Sequence, residues 1–222
     1  MGGIFMKVIA LDIETANLDM NAEGLAFDNP KGWKTAVVCM YDSKDGLNSI
    51  YVHPDNYDEV VRKCGGKLGI VFKFEMLAYH LRNARNDGYL LLTHNGEGFD
   101  FPIMSKTQKQ GGVGSVKSLL EKWPEHQKLD MAQYLKSETG IRYRLNHLIH
   151  GLLGEDESKI MDAANAPIEW NKGNHEEVIR YCIDDCHKTY HVFLKAKDIG
   201  YFTAIGKDEY VDVPYAPPIR LE

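Results

Sequence analysis

The chain has 222 residues, with 26 Lys plus Arg against 32 Asp plus Glu, a formal charge of −6, and 44% apolar and 26% charged residues. That length suits one domain with a buried core, and that composition excludes a disordered, collagen-like or coiled-coil chain. The acidic balance argues against a protein that coats nucleic acid by charge alone, which needs a clustered basic surplus, and leaves room for an enzyme with a local acidic site.

Strands are predicted over Lys7 to Ile13, Thr35 to Tyr41 and Ser49 to Val52, which are β-branched or apolar runs separated by Asp, Asn and Gly. Asp45-Gly46 is a tight-turn signal between the second and third. From Phe74 to Arg85 the apolar spacing changes to three and four, through Met76, Leu77, His80, Leu81 and Ala84, which predicts a helix. Tyr89 to Thr93 reads as a further strand. A loop from His94 to Asp100 then leads into Phe101-Pro102-Ile103-Met104, where an Asp before the first turn and a Pro within it mark a helix start. Gly111-Gly112-Val113-Gly114 reads as a loop. Helices are expected at Val116 to Lys122, Met131 to Leu135 and Leu145 to Leu153, and the last strong one covers His175 to Lys197. Residues 1–200 would form one domain, and the Pro-containing residues 201–222 an extended tail over its surface. Strands early and helices late indicate a mixed α/β domain in which helices cover a sheet.

Apolar runs such as Tyr89-Leu90-Leu91-Leu92 are far shorter than the roughly 20 residues of a membrane helix. The segment from Met1 to Lys7 lacks the basic, apolar and small-residue sections of a secretory leader. Cys39, Cys64, Cys182 and Cys186 form neither a paired metal spacing nor a dense disulfide framework. A reducing, cytoplasmic setting without a membrane is the expectation.

Three places carry unusual acids. In Val8-Ile9-Ala10-Leu11-Asp12-Ile13-Glu14-Thr15, strand alternation points Asp12 and Glu14 to one face, about 6.5 Å apart along the strand. Like charges at the end of a buried strand repel, desolvation adds to the cost, and a divalent cation would remove both penalties; otherwise Glu14 lies past the strand end and Asp12 caps a turn. Asp100 leaves a loop that carries His94 and Asn95 with two glycines, at the kind of strand end where chemistry is placed; its plain role is helix N-cap. In the last helix Val178, Cys182, Cys186, Tyr190 and Phe193 make the apolar stripe. Asp185 sits on its shoulder, one turn after Tyr181, and Asp184 falls on the solvent side.

Together these segments resemble the 3′→5′ exonuclease superfamily named for its Asp-Glu-Asp-Asp ligands, in its Tyr form. Asp12-Ile13-Glu14 matches the first motif, Asn95 to Phe99-Asp100 the second, and Tyr181 to Asp185 the third, Tyr-x-x-x-Asp. The wording is most like the exonuclease domains of family B DNA polymerases and their stand-alone relatives, and the resemblance covers residues 6 to 197. It implies a ribonuclease H-like fold, a mixed five-stranded sheet flanked by helices. It also implies hydrolysis of phosphodiester bonds with two divalent ions, Mg²⁺ or Mn²⁺, held by hard oxygen ligands. Asp12 would bridge both ions, Glu14 and Asp185 would complete the site of the attacking water, and Asp100 would serve the second ion. Tyr181 would orient that water, since a phenol is a poor base at neutral pH. Thr15, Leu18, Asn95 and Phe99 would either support the pocket or touch the 3′ end.

Lys106, Lys109 and Lys117, and Arg142, Tyr143 and Arg144, are candidates for phosphate and base contacts or else ordinary surface. Cys182 with Cys186 and His187 with His191 have metal-compatible helical spacing but no companion ligands. Asp130 is most simply an N-cap, and Gly111, Gly112 and Gly114 lack the Lys-Ser/Thr of a phosphate loop. The leading expectation is an exonuclease acting on the 3′ end of single-stranded DNA, with replication or repair proteins as further partners. The same chemistry on RNA, and a silent nucleic-acid-binding module, are the competing readings.

Overall fold

A computed structural model describes residues 6–18, 23–26, 32–110, 116–154 and 160–205. The glycine-rich segment 111–114 and the prolines of the tail lie outside them. Within them β1 (Val8–Thr15), β2 (Thr35–Asp42), β3 (Leu47–Val52), β4 (Ile70–Lys73), β5 (Leu90–Thr93) and β6 (Lys128–Asp130) form one sheet in the order β4-β3-β2-β1-β5-β6. β1, β2 and β3 run antiparallel in succession, while β4, β5 and β6 join parallel to their neighbours. This is an α/β fold with a mixed sheet flanked by helices, compatible with a ribonuclease H-like topology.

The sheet has six strands where five were expected. β4 and β6 are four and three residues long, too short for a period-two pattern to declare itself. The helices are α1 (Pro54–Cys64), α2 (Leu77–Asn86), α3 (Phe101–Gln110), α4 (Val116–Glu121), α5 (Met131–Thr139), α6 (Leu145–Leu152), α7 (Ala166–Asn171) and α8 (His175–Ile199). α1 went unpredicted because only Val60 and Cys64 of its residues are buried, so its apolar stripe is thin. None of the described helices is long and apolar enough to cross a membrane.

Strand alternation divides the core. Ile9, Leu11 and Ile13 of β1 pack with α2, α3 and α4 on one face, whereas Val8 and Ala10 join α5, α6, α7 and α8 on the other. Asp12 and Glu14 continue the Val8–Ala10 series, so the period of two delivers both acids beneath α8. Directly after α8, residues 202–204 enter this core, and the rest of the expected tail, 206–222, lies outside the described residues. Phe202 and Ala204 are fully buried, Thr203 Oγ1 donates to the Gly151 carbonyl at 2.6 Å, and a Cβ on Gly151 would lie 2.5 Å from the Thr203 backbone.

Candidate metal centre

Burying acids on a β-strand is costly unless something opposes their charge, and here three of them converge. Among the described residues, one carboxylate oxygen each from Asp12, Glu14 and Asp185 lie within 4.8 Å of one another, a group able to hold a metal ion. Two come from β1 and the third from α8, which packs across β1 and β2. Glu14 and Asp185 are buried and Asp12 is half-buried. Burial first, and then the charges of neighbours that include Asp100, Asp185 and Glu14, hold the Asp12 carboxyl well above the usual carboxylate range. Without a cation the group resists full ionisation, which is the behaviour expected of a site built for positive charge.

Asp100 stands beside this group. Pairing of β1 with β5 ends at Ala10 and Leu92. Farther along the freed edge, the Ile13 N–H donates to Asp100 Oδ1 at 3.1 Å. The Asp100 carboxyl is pushed up to about 7, by burial and then by the charge of Asp130. It does not serve as a simple N-cap. The chain from Gly96 to Asp100 is a π-helical turn that runs straight into α3, entered through Asn95 in the left-handed region at φ 71°. Gly96 is sterically required, and Gly98 closely faces the tips of two side chains. A Cβ at Gly96 would lie 2.6 Å from Thr93 Oγ1, and one at Gly98 would lie 2.8 Å from Asn95 Oδ1.

Tyr181 is fully buried one helical turn before Asp185, close enough for its phenol to feel the charge of that carboxylate. Burial, then the charges of Asp185, Glu14 and Asp12, raises the phenol far above its ordinary value, so it stays protonated and acts as a donor. The Cys182 thiol lies 3.5 Å from the Asp12 carbonyl oxygen and 3.6 Å from Asp12 Oδ2. Cys39, Cys182 and Cys186 are all buried free thiols, in keeping with core positions.

The flanking residues divide. Thr15 is buried at the bulged end of β1 opposite Thr35, and Leu18 is 57% exposed. Phe99 packs edge-on against Trp33 with ring centroids 5.1 Å apart, and Asn95 forms the turn, its Oδ1 accepting from Gln133 Nε2 at 3.3 Å. Asn17, unremarked in the sequence, organises the chain after β1. Its Nδ2 donates to Glu23 Oε2 at 2.7 Å and to the Gly32 carbonyl at 3.1 Å, and its Oδ1 accepts from Lys34 N at 2.7 Å.

Several expectations are corrected. Tyr143 is 2% exposed in the core and offers no face to a base, although Arg142 and Arg144 on either side are exposed. Asp184 is not merely solvated; Lys188 Nζ lies 2.9 Å from its Oδ2. Lys117 is exposed, 3.7 Å from Glu121, Lys106 is half-buried, and the Lys109 side chain lies outside the described residues. His187 is committed to Asn48 Oδ1 at 2.8 Å and packs on Tyr41, whereas His191 is exposed.

No known protein-family pattern matches the chain. No curated protein matches it either.

Proposed function

We propose that the protein is a metal-dependent 3′→5′ exonuclease of the Asp-Glu-Asp-Asp superfamily, Tyr form, that hydrolyses phosphodiester bonds from the 3′ end of single-stranded DNA. The observation that carries this reading is the meeting of Asp12, Glu14 and Asp185 within 4.8 Å, with Asp100 tied to the backbone between the first two. An all-carboxylate set suits Mg²⁺ or Mn²⁺ and not a thiophilic ion. Divalent ions bound there would acidify a water and neutralise charge on the scissile phosphate. Asp12, Glu14 and Asp185 would hold one ion, with Asp12 shared toward a second served by Asp100.

The chain's own groups have separable tasks. The Tyr181 hydroxyl, as a permanent donor, orients a water or phosphate oxygen beside the Asp185 carboxylate. The clamp of Asp100 by Ile13 N–H keeps the fourth acid from drifting as charge changes in the site. Phe99, backed by Trp33, and the exposed Leu18 present apolar surface to a terminal nucleotide.

Incubating the protein with 5′-labelled single-stranded DNA and matched RNA, in Mg²⁺, Mn²⁺ or chelator, tests the reading. A metal-dependent ladder shortening from the 3′ end, faster on DNA, is the expected result. Equal or faster shortening of RNA would reassign the substrate, and binding without cleavage in every metal would replace the enzyme by a binding module. Tyr181→Phe is expected to slow turnover at saturating substrate by about 10–100-fold, the scale of losing a polar neighbour of a metal site. The metal concentration for half-maximal rate should hardly move; a Phe variant unable to bind metal would contradict the water-orienting role.

A further inference from the structure

We propose that Asp130 is a positioning residue of this site, holding the Asn95–Asp100 turn so that Asp100 is delivered to the edge of β1. The inference rests on the reading of the four acids given above. As the residue before α5, Asp130 has an ordinary task, and it performs it: Oδ1 accepts from Ala132 N at 3.1 Å and from Gln133 N at 3.2 Å. Capping needs no more than that. The same carboxylate, however, also accepts from Asn95 N at 2.8 Å on Oδ1 and from Glu97 N at 2.9 Å on Oδ2. These are its two shortest bonds, and they reach amides more than 30 residues away in sequence.

Topology makes this possible. β5 and β6 are parallel neighbours with Thr93 opposite Asp130, so both end at the same edge of the sheet. The cap of the helix after β6 therefore sits against the turn after β5. That turn gains from a restraint, because Asn95 occupies the left-handed region, which Asn adopts more readily than other side chains but still at some cost. Gln133, in the first turn of α5, adds the bond to Asn95 Oδ1. The hold passes on directly. The Asn95 carbonyl accepts from Gly98 N at 3.2 Å and Phe99 N at 3.0 Å, and Asp100 follows with its carboxylate on Ile13 N. A loosened Asn95 would let Asp100 leave β1.

Two substitutions separate this role from capping. Ser is as good an N-cap as Asp, but its one short hydroxyl cannot span from α5 to both Asn95 N and Glu97 N. Asp130→Ser should therefore keep a melting temperature closer to wild type than Asp130→Ala does. Both variants should show about 10–100-fold weaker Mn²⁺ binding by calorimetry and about 10–100-fold lower turnover on labelled single-stranded DNA, the scale of an outer partner of a metal ligand. Amide hydrogen exchange at Asn95, Glu97 and Phe99 should quicken at least tenfold in each. Wild-type Mn²⁺ affinity and unchanged exchange in Asp130→Ser would overturn the proposal and leave Asp130 a cap. A wild-type protein that binds Mn²⁺ without cutting DNA would sink the exonuclease reading alone, since exchange and metal affinity still decide the positioning role. A wild-type protein that binds no Mn²⁺ would remove the acid site and this inference with it.

Discussion

Asp12→Ala is expected to lower metal-dependent hydrolysis by at least about 10³-fold, a change of roughly 4 kcal/mol in barrier, while leaving the metal-free fold as stable as the wild type or more so. The two halves share one cause. Asp12 is the acid most crowded by others, between Glu14, Asp100 and Asp185. With a cation present that crowding makes it the central ligand. Without one it is a burden, because its carboxylate is partly desolvated among like charges. Melting curves in chelator and in Mn²⁺ check the second half without any substrate. Wild type should gain stability with Mn²⁺ by linkage, and the Ala variant should gain little. Full activity in the variant would refute the site, and a large loss of stability in chelator would refute the account of its electrostatics.

In the absence of divalent ions, Asp100 is expected to make stability fall as pH rises from about 4 to 7. Its carboxyl is pushed up to about 7 in the folded protein, against about 3.9 in an unfolded chain. Below both values each state holds the proton and the contribution is complete. Between them the unfolded chain releases its proton while the folded one keeps it, so stability declines with pH until the folded group also ionises. Three units correspond to a loss of up to about 4 kcal/mol. Burial lowers the proton affinity of His80, His175 and His187, and these work in the opposite sense, stabilising as pH rises. Urea unfolding of wild type beside Asp100→Asn reports this acid together with its coupling to Asp12, because the histidines cancel in the difference. The wild-type minus variant stability should drop across this window in chelator, and Mn²⁺ should flatten it. A difference independent of pH in chelator would show that Asp100 is not held in the protonated form.

The two halves of the site were legible to different degrees. Asp12 and Glu14 share a face because a strand has a period of two, and Tyr181 and Asp185 share one because a helix places i and i+4 together. Both are local rules, and both hold in β1 and α8. The long strands and α8 were read for the same reason: many repeats of a period outweigh the errors at their ends. β4, β6 and the thinly apolar α1 lack such repeats. Tyr143, between two exposed arginines, looked like a surface aromatic because pattern cannot tell which side of a short irregular stretch turns inward.

What the amino-acid order determined by itself was therefore the chemistry on each element: paired acids on one strand face, an acid leaving a glycine-bearing turn, a phenol one turn before an acid. Only the tertiary structure decided that the faces meet. The 4.8 Å convergence across β1 and α8, the bond from Ile13 N to Asp100 and the grip of Asp130 on Asn95 and Glu97 join residues some 30 to 170 positions apart. Their partners are chosen by strand order and helix packing, which depend on burying two apolar faces of one sheet at once, and no local period carries that information.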